Sequence, residues 1–330
     1  MDPDAAQSDF LPTASWPMLR KRAELLARVR SFFAERAFLE VETPLLSADT
    51  IVDRHLDPLR VILPEDPRDP THGPTRWLQT SPEFGMKRLM AAGGEAIFQI
   101  TRAFRAGESG ERHNPEFTMV EWYRRGDTLE QGVQLLSDLA EALFERGPSE
   151  LVSYADAFRR AGLVDPHRAT PHELAAAARE RKISISDSMA SADRDTWLHL
   201  LMSHVVEPGL GRDRPAIVCD YPASQAALAR LRGNPPLAER FELYVGGMEL
   251  ANGYHELVDA QVLRQRNRQA NAERRADGKP SLPEESRLLT AMEHGLPECT
   301  GVALGFDRVV MVATGAQHIR EVIAFPSDRA

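Results

Sequence analysis

The sequence predicts an α+β protein in which antiparallel hairpins are separated by helices. Two hairpins carry that expectation. Gly246-Gly247 is a two-residue turn signal between the strand-like runs of Phe241–Glu256, FELYVGGMELANGYHE. Ala96–Arg105 and Glu116–Tyr123 are a second strand pair, flanking a polar loop over 106–115. Helical spacing of Leu19, Leu25, Leu26, Val29, Phe32 and Phe33 supplies the other half of the class. Across 330 residues, 42% hydrophobic and 27% charged content is that of a soluble globular chain.

Composition excludes several function classes. No apolar run is long enough to span a bilayer, and the start, MDPDAAQSDF, is too polar for a signal peptide. Cys219 and Cys299 form no CxxC pair or disulfide framework, so a reducing cytoplasm is the simplest compartment. A formal charge of -9 argues against a broad nucleic-acid-binding surface. No internal repeat stands out; Ala175–Ala178 is the one Ala-rich stretch.

Residues 1–14 read as a disordered tail. Ser15 and Pro17 then offer a helix start, and the helix runs to Ala37 with Arg20, Lys21, Arg22, Arg28 and Arg30 off the apolar face. Phe38–Leu46 switches to strand character and stops at Pro44, since a proline cannot donate to a ladder. Residues 64–76 form a loop, and Trp77–Leu89 reads as strand, Ser81-Pro82 turn and helix. Glu83 falls in that helix's first turn, where the dipole favours a carboxylate. The loop after Arg105 contains His113-Asn114.

A helix follows over 128–146, and residues 151–213 read as a helical insertion with no convergent chemistry. Ala216–Tyr221 is a buried strand and 222–240 a loop with short helical turns. Asp259–Asp277 is a charged helix whose Arg264, Arg266, Arg268, Arg274 and Arg275 suit a solvated face. A helix over 284–295, a strand from Cys299 into a helix over 307–314, and a short strand Val322–Phe325 complete the chain.

The glycine hairpin has a chemical reading. With Val245 opposite Met248, the regular ladder pairs Tyr244 with Glu249 and Glu242 with Ala251. Glu242, Tyr244 and Glu249 then share a face, with the two carboxylates diagonal. Carboxylates so placed repel unless a cation or cationic ligand lies between them. Glu256 follows seven residues after Glu249, and a bulge at Asn252-Gly253 would aim it at the same site. The alternative is a solvated acidic hairpin.

Three separated stretches make a family pattern. FLEVETPLL, then FR with HNPEFTMVEWY after the loop, then GVALGFDR, resemble motifs 1, 2 and 3 of class II aminoacyl-tRNA synthetases, in order. The TSPE turn and GGMELANGYHEL resemble the lysyl-type catalytic core in particular. The resemblance departs from lysyl-tRNA synthetases in two ways. The core begins by Trp16, with no anticodon-binding OB-fold before it, and Ala303 stands where those enzymes have glycine in a pattern like GLGIGIDR. With PASQAALA and EVIAF, these features resemble free-standing synthetase paralogues that modify a lysine of elongation factor P.

The resemblance implies a class II synthetase core over 15–330, an antiparallel sheet of about six strands flanked by helices, with motif 1 as a homodimer interface. It implies that (R)-β-lysine is activated by ATP as an adenylate and transferred to elongation factor P. Arg105 and Arg308 match the arginines that neutralise the reacting phosphates. Phe117 matches the ring that stacks on adenine, and Glu108, His113, Asn114, Glu249, Leu250 and Gly305 match further ATP contacts. Glu242 and Glu249 match the acidic pair that holds Mg²⁺. Ser81, Pro82, Glu83, Tyr123, Glu256 and Ala303 match the amino-acid pocket, with Glu256 and Glu83 meeting the two amines. FRAGE replaces the usual FRxE of motif 2, so Gly107 holds the glutamate position and Glu108 follows it. A truncated synthetase acting on tRNA, a non-catalytic regulatory paralogue and an asparagine-synthetase-like amine ligase are the rival readings. The acidic charge disfavours the first, the retained Arg105, Glu242, Glu249 and Arg308 the second, and the TSPE and ELANGYHEL stretches the third.

Overall fold

The computed structural model describes residues 10–185 and 192–330. By its internal contacts the chain divides into two compact units. One comprises Met1–Arg125, Val258–Glu298 and Ala303–Ala330; the other comprises Gly126–Leu257 and Cys299–Val302.

The first unit opens with helix α1, Trp16–Ala34. Ser15 caps it by accepting from Met18 N, and a proline occupies its first turn, as the sequence indicates. Leu25, Val29, Phe32 and Phe33 form its buried stripe. Most of the expected tail, residues 1–9, lies outside the described residues, but the expectation fails at its end. Thr13 Oγ1 donates to Arg320 O at 2.7 Å, Thr13 N donates to Ala324 O at 2.8 Å, and Ala14 is buried.

The strand expected over 38–46 is split. Pro44 separates β1, Leu39–Glu40, from β2, Leu46–Ser47. β3, Arg60–Ile62, and β4, Thr75–Leu78, complete a small sheet in the order β2-β4-β3. Helix α2, Glu83–Ala91, starts directly after Pro82. β5, Ala96–Phe104, and β6, Glu116–Arg125, pair antiparallel from Ala96 opposite Arg124 to Phe104 opposite Glu116. β1 adds to β5 in parallel. Phe33 of α1 stacks on Phe98 at 4.6 Å between ring centroids and lies 5.2 Å from Trp122, which docks the helix on this hairpin.

The second unit contains α3, Leu129–Phe144, with a Thr128/Gln131 capping box, then β7, Glu150–Ser153. Helices α4, Tyr154–Arg160, α5, Pro171–Glu180, and α6, Arg194–Leu201, follow. A π turn, Met202–Val206, and a 3₁₀ turn, Glu207–Gly209, lead to β8, Ala216–Pro222. β7 and β8 are parallel, so the helical segment between them is the crossover that a parallel pair requires. Its core includes Tyr154, Phe158, Trp197, Leu198, Leu201 and Tyr221.

β9, Leu231–Arg232, lies against β10, Leu237–Tyr244, which begins inside the expected 222–240 loop. β10 pairs antiparallel with β11, Glu249–His255. The Gly246-Gly247 turn stands, with Val245 N donating to Met248 O at 3.0 Å. Tyr244 is opposite Glu249 as expected, but Leu243 is then opposite Ala251 and Glu242 opposite Asn252. Leu250 is thus the extra residue of a bulge, two residues earlier than the sequence indicated.

Helix α7, Ala260–Ala276, and helix α8, Arg287–Gly295, return to the first unit. β12, Cys299–Gly305, starts in the second unit beside β11 and ends in the first, where it enters helix α9, Phe306–Thr314. No strand forms at 322–325; a 3₁₀ turn, Ile319–Glu321, precedes an irregular end. The carbonyls of Ile323 and Ala324 lie 3.0 and 3.3 Å from Thr13 Oγ1, as alternative acceptors to Arg320 O for its single hydroxyl proton. The α+β class stands: β2–β4, β3–β4, β5–β6, β8–β10, β9–β10 and β10–β11 pair antiparallel, and β1–β5 and β7–β8 pair parallel.

Candidate functional site

In the first unit the loop between β5 and β6 gathers the basic residues. Arg105 follows the last residue of β5, and its amide donates to Pro115 O at 2.9 Å, closing the loop's neck. Its guanidinium lies 4.9 Å from the centre of the Phe117 ring and 3.6 Å from Glu108. Gly107 has φ +78, a conformation open to glycine, and its turn returns Glu108 toward Arg105. The displaced acid of FRAGE therefore pairs with the arginine. Arg105 Nε also reaches Thr80 O at 3.5 Å.

Arg308 enters the same loop from the first turn of α9. Its Nη2 donates to His113 Nε2 at 2.5 Å and its Nε approaches Arg112 O at 3.5 Å. Desolvation in the loop, and next the Arg308 charge, lower the His113 pKa, so a neutral imidazole accepts that bond. Beneath it, Asp307 holds Arg22 of α1 at 2.6 Å and accepts from Thr118 N at 2.8 Å. Asn114 is buried, donating to Glu116 O at 2.6 Å and accepting from Ser327 N at 3.0 Å. Gly305 is the residue from which α9 starts, with Ala303 two residues before it on β12.

One residue beyond Thr80 a second cluster begins. Ser81 Oγ donates to Glu121 Oε2 at 2.6 Å and accepts from Glu83 N at 3.0 Å. Tyr123 donates to Glu121 Oε1, also at 2.6 Å. Pro82 and Glu83 are buried, and Lys87 Nζ, one helical turn along α2, donates to Glu83 Oε1. Sequence reasoning missed Glu121, although Glu121 and Tyr123 lie two apart on one strand and so share a face. Burial, and next the Glu83 charge, push the Glu121 carboxyl from 4.5 up to about 7.

The folded state thus binds a proton on Glu121 that the unfolded state releases between those two values, so stability falls as pH rises from 4.5 to about 7. Glu121→Gln is expected to flatten that part of the curve. Melting temperatures of both proteins from pH 4.5 to 8 check it; parallel curves exclude Glu121 as the titrating group.

In the second unit Glu242 is buried and its charge is compensated. Arg240 donates to Oε1 through Nε at 3.1 Å and Nη2 at 2.5 Å, while Tyr221 and Tyr244 donate to Oε2 at 2.5 Å each. Burial alone would raise its pKa, but the Arg240 charge and the tyrosine hydroxyls hold it below the ordinary carboxylate value. The charge of Glu249 in turn acts on Tyr244, so Glu242, Tyr244 and Glu249 form one neighbourhood, as the same-face argument requires.

The bulge at Leu250 explains how the second acid joins it. It turns Asn252 to the face of Glu242, and alternation carries Tyr254 and Glu256 onto that face. Leu250 itself is buried. Asn252, also missed from sequence, keeps a buried Oδ1 without a hydrogen-bond partner. Glu256 is buried, and its amide donates to Cys299 O at 3.0 Å.

The basic helix α7 is less of a solvated face than expected. Arg274 is buried against Asp57, and Arg264 holds Glu285 and Glu293. No group of three or more acidic, His or Cys side chains able to hold a metal occurs among the described residues. No helix among them is long and apolar enough to cross a membrane.

Residues 10–329 match the family of class II tRNA synthetases (D, K and N). The chain belongs to the class II synthetase family. Its relatives within that family narrow the similarity. It is 47% identical to the elongation factor P–(R)-β-lysine ligase of Klebsiella pneumoniae subsp. pneumoniae, over 97% of this chain and 98% of the relative. A ligase of the same name from Salmonella paratyphi B is 46% identical, over 97% of this chain and 98% of the relative.

Proposed function

We propose that this class II synthetase activates (R)-β-lysine with ATP and transfers it to a lysine side chain of elongation factor P. Identity of 47% across 97% of the chain, with relatives named for that ligation, is the observation that carries the reading. The clusters around Arg105 and Glu242 agree with it. The reaction is cytoplasmic in this reading, and the chain works as a homodimer through α1 and the segment after it.

In the first step a carboxylate oxygen of (R)-β-lysine attacks the α-phosphorus of ATP. The P–O bond to the β-phosphate breaks and pyrophosphate leaves. Charge accumulates on the phosphoryl oxygens, and Arg105 meets it with a guanidinium already seated on Phe117 and Glu108. Arg308, braced by His113, serves the departing phosphates, and Phe117 offers a face for adenine. Asn114, Gly305 and Leu250 act here through backbone placement, since the Asn114 side chain is already committed.

Glu249 and Glu242 would hold Mg²⁺ with the phosphates. Glu249 is a hard-oxygen donor in the neighbourhood of Glu242, and the fit rests chiefly on it; both Glu242 oxygens already accept from Arg240, Tyr221 and Tyr244, so Glu242 would reach the ion only by exchanging one of those donors. When bound, the cation neutralises phosphate charge. Of the acids read as amine partners, Glu256 is assigned the side-chain ammonium and Glu83 the other amine, with Ser81, Pro82 and Tyr123 in the cluster around Glu83 and Glu121. In the second step the ε-amine of the factor's lysine attacks the adenylate carbonyl. An amide forms, the bond to AMP breaks, and the amine's proton is lost to solvent.

ATP–pyrophosphate exchange with (R)-β-lysine and α-lysine side by side tests the first step, and a mass increase on added elongation factor P tests the second. Strong exchange with the β-isomer and a modified factor are expected. Exchange with α-lysine alone and transfer to tRNA would replace this reading with a tRNA-charging enzyme. Ala303→Gly is expected to raise α-lysine activation about tenfold, the scale of one methyl in a pocket. No gain in kcat/KM for α-lysine removes Ala303 as the discriminating residue.

A further inference from the structure

The hairpin carrying Glu242 and Glu249 does not end in a free turn. Gly246 N donates to Gly211 O at 2.7 Å and Gly247 N to Leu210 O at 2.8 Å. The amide of Glu249 itself donates to Glu207 Oε1 at 3.3 Å. The accepting residues come from the end of the crossover between β7 and β8, which showed no chemistry in the sequence. They follow the π turn directly, and π turns concentrate at functional sites. Gly211 has φ +64, and a Cβ there would lie 2.2 Å from Tyr244 O and 2.8 Å from Val245 Cα. Both are backbone atoms that cannot swing aside, so only glycine permits this approach.

We propose that Glu207–Gly211 is a strap that positions Glu249 for the nucleotide and its cation, with Glu207 and Gly211 as its determining residues. The proposal rests on the reading of Glu249 as an ATP contact. The strap supports the hairpin where the ladder is weakest. A bulge leaves its extra residue outside the pairing, and Leu250 is the neighbour of Glu249. Two adjacent glycines in the turn add backbone freedom on the other side. Three hydrogen bonds from one segment remove that freedom around the acid, whose direction then no longer depends on the turn. Glu207 and Gly211 touch no reacting atom in this arrangement; they act through Glu249.

The test is calorimetric binding of a non-hydrolysable ATP analogue to the full chain at low and high Mg²⁺, with thermal unfolding in parallel. Glu207→Ala is expected to weaken binding about five- to tenfold, and more at low than at high Mg²⁺, because a misdirected carboxylate recruits the cation poorly. Glu207→Gln keeps an acceptor oxygen and is expected to stay within about twofold of wild type. Gly211→Ala is expected to lose on the order of 10²-fold, the scale of a displacement near 1 Å. Wild-type binding with unchanged affinity and Mg²⁺ dependence in the Glu207→Ala protein overturns the strap and leaves the proposed function standing, whatever happens to the melting temperature. Wild type that binds no nucleotide at either Mg²⁺ level overturns the role of Glu249 and the strap together. If Gly211→Ala does not fold, the two Glu207 variants decide.

Discussion

Arg105→Ala is expected to lower kcat/KM for adenylate formation by 10²- to 10³-fold, about 2.7–4 kcal/mol of transition-state stabilisation. The expectation follows from how the side chain is held. Phe117 lies under the guanidinium, Glu108 stands 3.6 Å from it, and Thr80 O accepts from Nε. A donor fixed before the substrate arrives needs no reorganisation when charge develops. Arg105→Lys should recover little, because an ammonium lacks the planar fork that grips a carboxylate and a phosphate oxygen together. Single-turnover adenylate formation, with the melting temperature as a control for folding, gives the result. A rate within a few-fold of wild type would place the phosphate contact elsewhere. Glu108→Gln is the milder companion, since its pairing is partly exposed.

Asp307→Ala is expected to destabilise the protein by about 3–5 kcal/mol, the cost of stranding a buried charge. Asp307 is 2% exposed, contacts Arg22 at 2.6 Å and receives Thr118 N. Removing it leaves Arg22 with a desolvated charge and an amide of β6 without its acceptor. Arg22 also lies over the Phe306 ring, 5.1 Å from its centre, so the damage reaches the start of α9 and therefore Arg308. Urea unfolding measures the loss, and Arg30→Ala is the control. Arg30 pairs with Glu40 with half its side chain in water, and such a pair is worth less than about 1 kcal/mol. Equal effects in the two variants would refute the buried-clasp argument.

The contrast between these arginines shows what the sequence can and cannot convey. Arg22 and Arg30 both fall off the apolar stripe of α1, and both read as a wet face. Only the fold sets one against Asp307, which lies far along the chain. Arg274 is the same case on α7, buried because Asp53, Leu56 and Asp57 supply carbonyls and a carboxylate from the other end of the first unit. Local signals fared better. Pro44 broke its strand and Gly246-Gly247 made its turn, as Ser15 and Pro17 began their helix, because each acts through its own backbone. The position of the bulge was not legible, since its surroundings include the distant Gly211. Glu121 was legible by alternation with Tyr123, yet nothing local indicated that Ser81 would bond to it.

The bulge at Leu250 changes how the interval between Glu249 and Glu256 should be counted. Along an unbroken strand, residues an odd number apart point opposite ways, and seven is odd. One unpaired residue between them reverses the parity, so the odd spacing becomes the signature of two acids on a common side. An insertion or deletion of one residue in 250–255 would therefore put these acids on opposite sides without altering either of them. A hairpin with an even interval would need no bulge to achieve the same pairing.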